Sequence, residues 1–146
     1  MIPNGVTVRR ASLSEGDAIY SMICALENTV IDRRAFDRIF HKNLESELIG
    51  YFIAKMEQTP IGMGSVHIEG LIHHAALVAE IQEMFVYEPY RSLGVGKCLM
   101  EYLVEFANSK GAIQLEVTSR NHRENAHLFY QKEGFEKSHV KLVRYF

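Results

Sequence analysis

Cysteine and proline are scarce in this chain, and long apolar runs are absent. Cys24 and Cys98 are its two thiols, too few for the disulfide framework of a small secreted domain. Both fall in apolar helical patterns, so two buried thiols in a reducing compartment are expected. Only three prolines occur, and no linker, repeat or low-complexity tract interrupts the chain. No stretch approaches the roughly 20 apolar residues of a membrane-spanning helix. The opening MIPNGVTVRRA lacks the apolar run of a secretory leader. Neither charge sign dominates: 16 basic against 18 acidic residues leave a net charge of −2. Nothing therefore points to nucleic acid or an anionic membrane surface. The expectation is a soluble, cytoplasmic protein.

What is present is an ordinary globular composition, 47% hydrophobic and 23% charged over 146 residues. That length predicts a single domain, 1–146, with one real core. Val6–Arg10 reads as a strand. A helix starts near Ser14, with an apolar face at Ile19, Met22, Ile23, Leu26 and Val30. Asp32 is placed to cap a second helix carrying Phe36, Ile39, Phe40 and Leu44. Tyr51–Glu57 and Ile61–Ile68 read as strands joined at QTP. A long strand runs from about Leu77 to Tyr87, stopped by Pro89. The third helix turns Val95, Leu99, Leu103 and Phe106 inward and stops at Gly111. A strand at Ile113–Thr118 and a helix at Arg123–Glu133 follow, the latter closed by Gly134. Phe135–Phe146 alternates enough for one or two closing strands. Strand, helix, strand, helix in the second half implies a parallel pair with a right-handed crossover. The earlier strands, joined by short turns, are expected antiparallel. The fold class is thus α/β, a mixed sheet with helices on both faces.

The stretch YRSLGVGKCLMEYL (90–103) carries the clearest chemistry. Glycines at a strand-to-helix turn leave bare backbone, and the first amides of a helix have no internal partner. Gly94, Val95, Gly96 and Lys97 would present those N–H groups, with the positive helix end, to a phosphate or pyrophosphate. Arg91 adds a charged donor. A dinucleotide fingerprint needs a third glycine where Leu99 stands. A nucleoside-triphosphate loop needs Ser or Thr where Cys98 stands. Alone, the two glycines would more simply mark a tight packing turn.

They are not alone. EIQEMFVYEPYR, RSLGVGK, IQLEVTS and AHLFYQKEGF occur in that order, and together they closely resemble the GCN5-related N-acetyltransferases. Arg91, Gly94 and Gly96 meet the R-x-x-G-x-G pattern; Phe129, Tyr130, Gly134 and Phe135 meet F-Y-x-x-x-G-F. The resemblance implies a mostly antiparallel sheet with a splayed parallel pair ending near Val86 and Val117. It also implies acetyl-coenzyme A as cosubstrate, with the pyrophosphate on the turn and the pantetheine arm in the gap. The expected cofactor-binding residues are Met84, Phe85, Val86, Arg91, Ser92, Leu93, Gly94, Val95, Gly96, Lys97 and Tyr130. Where many members carry an asparagine that contacts the cofactor arm before the last helix, Arg123 stands here, with Asn121 and Asn125 nearby, and these three are expected to bind the cofactor as well.

Acetyl transfer to an amine needs a base, a polarised carbonyl and a proton for the leaving thiolate. Glu80 and Glu83 are the candidate bases, since acidic residues in an apolar central strand are costly unless used or paired. Three apart, they face opposite sides of a regular strand unless a bulge re-aims one. Glu80 matches the family's strand glutamate and is favoured, with Glu83 second. Main-chain N–H groups near Phe85 and Val86 are expected to polarise the carbonyl. Tyr130 matches the family's tyrosine acid. Neither cysteine has the partner signature of a covalent acyl carrier, so direct attack in a ternary complex is expected.

The acceptor is harder to read. His67 and Glu69 share a strand face, and His73 and His74 follow at a turn, so a divalent metal or an anionic group could bind near Glu80. No zinc-type spacing is present. MICALE, AFDRIF, HIEGLIHH and EIQE are similar to the aminoalkylphosphonate N-acetyltransferases. That likeness implies a small aminophosphonate acceptor and a divalent metal at His67, His73 and His74, with Arg33 and Arg34 available to an anion. The alternatives are a peptide or protein amine as acceptor, a non-catalytic acetyl-coenzyme A-binding regulator, and a generic phosphate-binding module. The oligomeric state is left open, a homodimer included.

Overall fold

A computed structural model describes residues 3–146. One five-stranded sheet has the order β1-β2-β3-β4-β5, formed by Val6–Arg10, Ile49–Met56, Thr59–Leu71, Ala76–Val86 and Leu115–Val117. The first four strands pair antiparallel, and β4 and β5 pair parallel. Helices α1 (Gly16–Glu27) and α2 (Arg33–Leu44) cover one face. Helices α3 (Val95–Ser109) and α4 (Glu124–Lys132) cover the other. This is the expected mixed sheet, with its parallel crossover through α3.

Each face has its own apolar layer. Ile19 and Met22 of α1 and Phe40 of α2 pack on Tyr51, Ile53, Met63 and Phe85. On the opposite face Leu99, Leu103 and Phe106 of α3 pack where the strands carry no side chain. A Cβ on Gly64 would stand 3.1 Å from Leu103 Cδ1, and one on Gly50 would stand 3.2 Å from Phe106 Cδ1. The glycines form a shallow trough in which α3 sits close to the sheet. α3 therefore starts tightly against the end of β4, which fixes where its first turn points.

Local signals account for most boundaries. Asp32 caps α2 by accepting from the Ala35 N–H at 2.8 Å. α1 enters through a short 3-10 turn, Leu13–Glu15. Glu15 is buried and takes the Ser12 N–H at 2.9 Å, Arg9 at 2.6 Å and Lys55 at 3.1 Å. α1 ends at Glu27 because Asn28 turns left-handed, φ 52°. Val30 is thus outside the helix and 85% exposed, not on its apolar face. Ile39, expected inward on α2, is 55% exposed, because Phe36 and Phe40 fill the side facing α1 and the sheet. The turn after β2 falls at Glu57–Gln58, both at positive φ, one residue before the expected QTP.

Two further differences concern the second half. β5 is shorter than Ile113–Thr118: only Leu115–Val117 pairs with β4, residues 79–81. Beyond Val117 the two strands part. No strand forms in 135–146. Phe135 is held, its N–H donating to Tyr130 C=O at 3.0 Å, but 136–146 is exposed throughout.

Candidate active site where β4 and β5 part

A β-bulge organises the acidic strand. β3 pairs Ser65 with Glu83 and Val66 with Ile81, which leaves Gln82 as an extra residue in β4. Without it Glu80 and Glu83 would face opposite sides. With it, Glu80 lies opposite His67 and Glu83 opposite Ser65. His67 and Ser65 are two apart on β3, so both carboxylates share the α1/α2 face. Ser65 is fully buried; its hydroxyl takes the Glu83 N–H at 3.0 Å and donates to the Glu83 carboxylate. Glu80 Oε2 accepts from Thr118 Oγ1 at 3.1 Å, bridging the mouth between the diverging strands, and Oε1 accepts from Gln82 at 3.3 Å.

On the same face Asn43 donates to the Tyr51 hydroxyl at 2.8 Å, and the Tyr51 ring meets His67 edge-on at 6.3 Å. Burial pushes the Tyr51 phenol up; the Asn43 bond opposes this and the Glu83 charge adds to it. This face therefore combines two carboxylates, an imidazole, a phenol and an amide.

The gap itself is a cleft lined by Met84, Val117, Thr118, Arg123 and Tyr130, with Leu26 at the end of α1 as part of its rim. Main-chain direction alternates along a strand. Tyr87 N–H donates to Ile61 C=O at 2.9 Å, so Phe85 N–H also turns toward β3. The N–H groups of Met84 and Val86 turn toward the gap. The carbonyl-polarising donors expected near Phe85 and Val86 are thus better matched by Met84 and Val86, while the Phe85 ring packs among the α1/α2 layer. Arg91 folds back, its Nε donating to Val86 C=O at 2.7 Å, with the guanidinium 5.7 Å from the Phe85 ring. It ties the turn to the strand end.

Tyr130 is buried, edge-on to Phe129 at 5.3 Å and to Phe135 at 5.7 Å. Burial pushes its phenol up, and Arg123 partly opposes that. It therefore holds its proton above the ordinary phenol range. Ser119 Oγ, buried in the cleft wall, has no hydrogen-bond partner among the described residues. Across the rim Arg120 pairs with Glu27 at 2.9 Å, joining the loop after β5 to the end of α1. Asn121, Arg123 and Asn125 stand exposed where that loop enters α4.

The turn before α3 fits a pyrophosphate. Gly94 has φ +87°, a left-handed conformation a side chain would strain. The first helical bond is Cys98 N–H to Gly94 C=O at 3.0 Å. Among the described residues, no acceptor takes the N–H groups of 92–97. They cluster as a rim at the positive end of a fifteen-residue helix, the kind of arrangement that suits an anion. Gly96 has a second reason: a Cβ there would stand 3.4 Å from the Phe129 ring, so its smallness also seats α4. Ser92, Leu93 and Lys97 are exposed around the rim, whereas Val95 is buried beneath it.

The histidines do not converge. His67 lies mid-sheet opposite Glu80, whereas His73 and His74 sit on the exposed β3–β4 turn, rings 4.4 Å apart. The turn lies four residues or more up the hairpin from Glu80, about 13 Å of strand. Among the described residues no three His, Cys, Asp or Glu side chains are grouped to hold a metal ion. The expected set His67, His73 and His74 does not fit a common ion. Arg33 is engaged by Asp17 at 2.5 Å and Asp37 at 2.9 Å, so its charge is already met. The sequence reading allows for a bulge but does not place it at Gln82, and it does not foresee the Ser65–Glu83 lock, the Thr118 bridge or the Asn43–Tyr51 pair.

Comparison with known proteins agrees with this geometry. The Acetyltransferase (GNAT) family matches residues 17–135. The aminoalkylphosphonate N-acetyltransferase of Salmonella typhimurium is 33% identical over 137 residues, 94% of this chain and 89% of that protein. A crystal structure of a transcriptional regulator from Bacillus halodurans superposes with a TM-score of 0.87 at 21% identity, covering 97% and 99% of the two chains. AAC(6')-Iy in complex with the bisubstrate analogue CoA-S-monomethyl-acetylneamine gives 0.85 at 19% identity, covering 97% and 98%. Among the described residues no helix is long and apolar enough to cross a membrane. By its sequence pattern, its fold and these relatives, the chain belongs to the GNAT family and is an N-acetyltransferase.

Proposed function

We propose that the protein moves the acetyl group of acetyl-coenzyme A directly to a primary amine of a small molecule, in the class of the aminoalkylphosphonates. The observation that carries the reading is the bulge at Gln82, which brings Glu80 and Glu83 to one face beside the parting strands. The Salmonella relative supports the acceptor class.

Acetyl-coenzyme A, when bound, supplies an activated thioester carbon. The amide rim at 92–97 and the helix end hold the diphosphate, and the cleft orients the arm along Met84 and Val86. Amines of this kind are protonated near neutral pH, with pKa of roughly 10. Glu80 takes the ammonium proton, with Glu83 as its neighbour, and frees the lone pair. That lone pair attacks the carbonyl carbon: the N–C bond forms and the C–S bond breaks. The N–H groups of Met84 and Val86 stabilise charge developing on the carbonyl oxygen. Tyr130 gives its proton to the departing sulfur, and the extra proton still carried by the attacking nitrogen restores the Tyr130 phenol. Burial and the Glu101 charge push the Cys98 thiol up, keeping it protonated. It is a poor acyl carrier, which favours the direct route.

An amine panel tests the reading, with thiol release from acetyl-coenzyme A as the signal. 2-Aminoethylphosphonate, 1-aminoethylphosphonate, simple diamines and peptide N-termini form the panel. Turnover led by the aminophosphonates is expected. Turnover confined to peptides would overturn the acceptor class, and none with any amine would overturn the activity assigned to this site.

A further inference from the structure

The cleft between the parting strands has a charged rim that the transfer chemistry leaves unused. Arg120, in the loop after β5, and Glu27, the last residue of α1, both line it and pair at 2.9 Å. Their side chains are 66% and 40% exposed. An ion pair so open to water is weak, so it adds little to the fold. Its place matters more than its strength. α1 lies on the sheet face that Glu80 and Glu83 share, whereas α3 and its amides lie on the other.

The chain ties this rim to the bases. Thr118 Oγ1 stands 3.1 Å from Glu80 Oε2. Arg120 is two residues further on, so its Cα lies within about 7 Å of that of Thr118. A small molecule whose amine meets Glu80 therefore has its far end beside Arg120. The lining carries two arginines, Arg120 and Arg123, against the single carboxylate of Glu27. Among the described residues Arg123 has no ion-pair partner, and Ser119 Oγ in the same wall has no hydrogen-bond partner. Positive charge and an unmet hydroxyl thus surround a weakly held guanidinium.

We infer that Arg120 selects the acceptor by its anion, leaving Glu27 to take a phosphonate while the amine meets Glu80. The inference rests on the acceptor class proposed above. A phosphonate offers three oxygens and more negative charge than a carboxylate, and a guanidinium meets it with paired N–H donors. It therefore displaces Glu27. An amine without an anion leaves the Arg120–Glu27 pair closed across the rim. The coenzyme's diphosphate is the other anion at hand, but the amides that suit it lie at the start of α3, across the sheet.

Arg120→Gln, Arg120→Lys and Glu27→Gln are compared with wild type by thiol release, with 2-aminoethylphosphonate and with propylamine, which has no anion. With 2-aminoethylphosphonate, kcat/KM should fall about 10–100-fold in R120Q, most of it in KM. R120K should lie between R120Q and wild type, since lysine keeps the charge without the paired donors. E27Q frees Arg120 and should lower that KM. In R120Q the rate with propylamine should not fall, and acetyl-coenzyme A affinity should stay near wild type. An equal loss with both amines, a matching loss of acetyl-coenzyme A affinity, or no loss at all would overturn the inference. Calorimetry with methylphosphonate, an anion without an amine, separates this role from the acceptor class. Methylphosphonate bound by wild type and not by R120Q, with no aminophosphonate turned over, would sink the acceptor class and uphold the Arg120 site. Aminophosphonates turned over alike by wild type and R120Q would sink the Arg120 site and uphold the acceptor class.

Discussion

Replacing Glu15 by glutamine should cost the fold about 2–3 kcal/mol at neutral pH and nearly nothing at pH 2. Burial alone would push this carboxyl up. The Ser12 main-chain N–H, Lys55, Arg9 and the Ser12 hydroxyl overcome it and leave the group at about 2, against 4.5 for the free side chain. At about 1.36 kcal/mol per unit the difference is roughly 3 kcal/mol, trimmed because Arg9 is half exposed. The folded value is depressed, so the stabilisation is complete above the unfolded value and fades as pH falls from about 5 toward 2. Urea unfolding at pH 7, 4 and 2 measures it. With a slope of about 1–3 kcal/mol per molar urea, the E15Q midpoint should fall by about 1–2 M at pH 7, the gap closing in acid. Glu15 starts α1, whose far end carries Leu26 and Glu27 at the cleft rim, so acetyl-coenzyme A affinity should weaken too. An E15Q midpoint equal to wild type at pH 7, or a gap that widens in acid, would refute the reasoning.

Gly94→Val should forfeit most of the thermal protection that acetyl-coenzyme A gives, because it strains φ +87° and fills the anion rim; unaltered protection would contradict that role. Tyr130→Phe should lower kcat by about 10²-fold or more and leave acetyl-coenzyme A affinity near wild type, as steady-state thiol release would show. In wild type the alkaline limb of kcat should lie above the ordinary phenol range, since burial raises Tyr130. Gly62→Ala should destabilise by about 1–3 kcal/mol in urea, because its Cβ would lie 2.9 Å from the Phe85 carbonyl oxygen, which belongs to a paired strand and cannot swing aside.

The elements with strong local signals were legible in the sequence. Asp32 announces α2 by its capping oxygen, and Gly94 and Gly96 announce the turn into α3. The apolar spacing of Val95, Leu99, Leu103 and Phe106 announces α3, and all four are buried. Features set by pairing were not legible. Gln82 is unremarkable in sequence; only its extra place opposite β3 brings the two glutamates together. Ile39 obeys helical spacing but loses its place to Phe36 and Phe40. Val30 continues the period of α1 past a left-handed Asn28. His73 and His74 are near His67 in sequence, yet a hairpin carries them away from it. The tail has the alternation of a strand, yet among the described residues it pairs with none, since alternation alone supplies no neighbouring edge.

The direct test of the central claim is the pH profile of kcat/KM for Glu80→Gln, Glu83→Gln and the double variant, measured by thiol release with 2-aminoethylphosphonate. Two carboxylates gathered by the Gln82 bulge predict a loss of at least about 10²-fold for the double variant, with the acid limb of the profile gone and acetyl-coenzyme A still bound. A double variant that turns over like wild type, with its acid limb intact, would contradict the account.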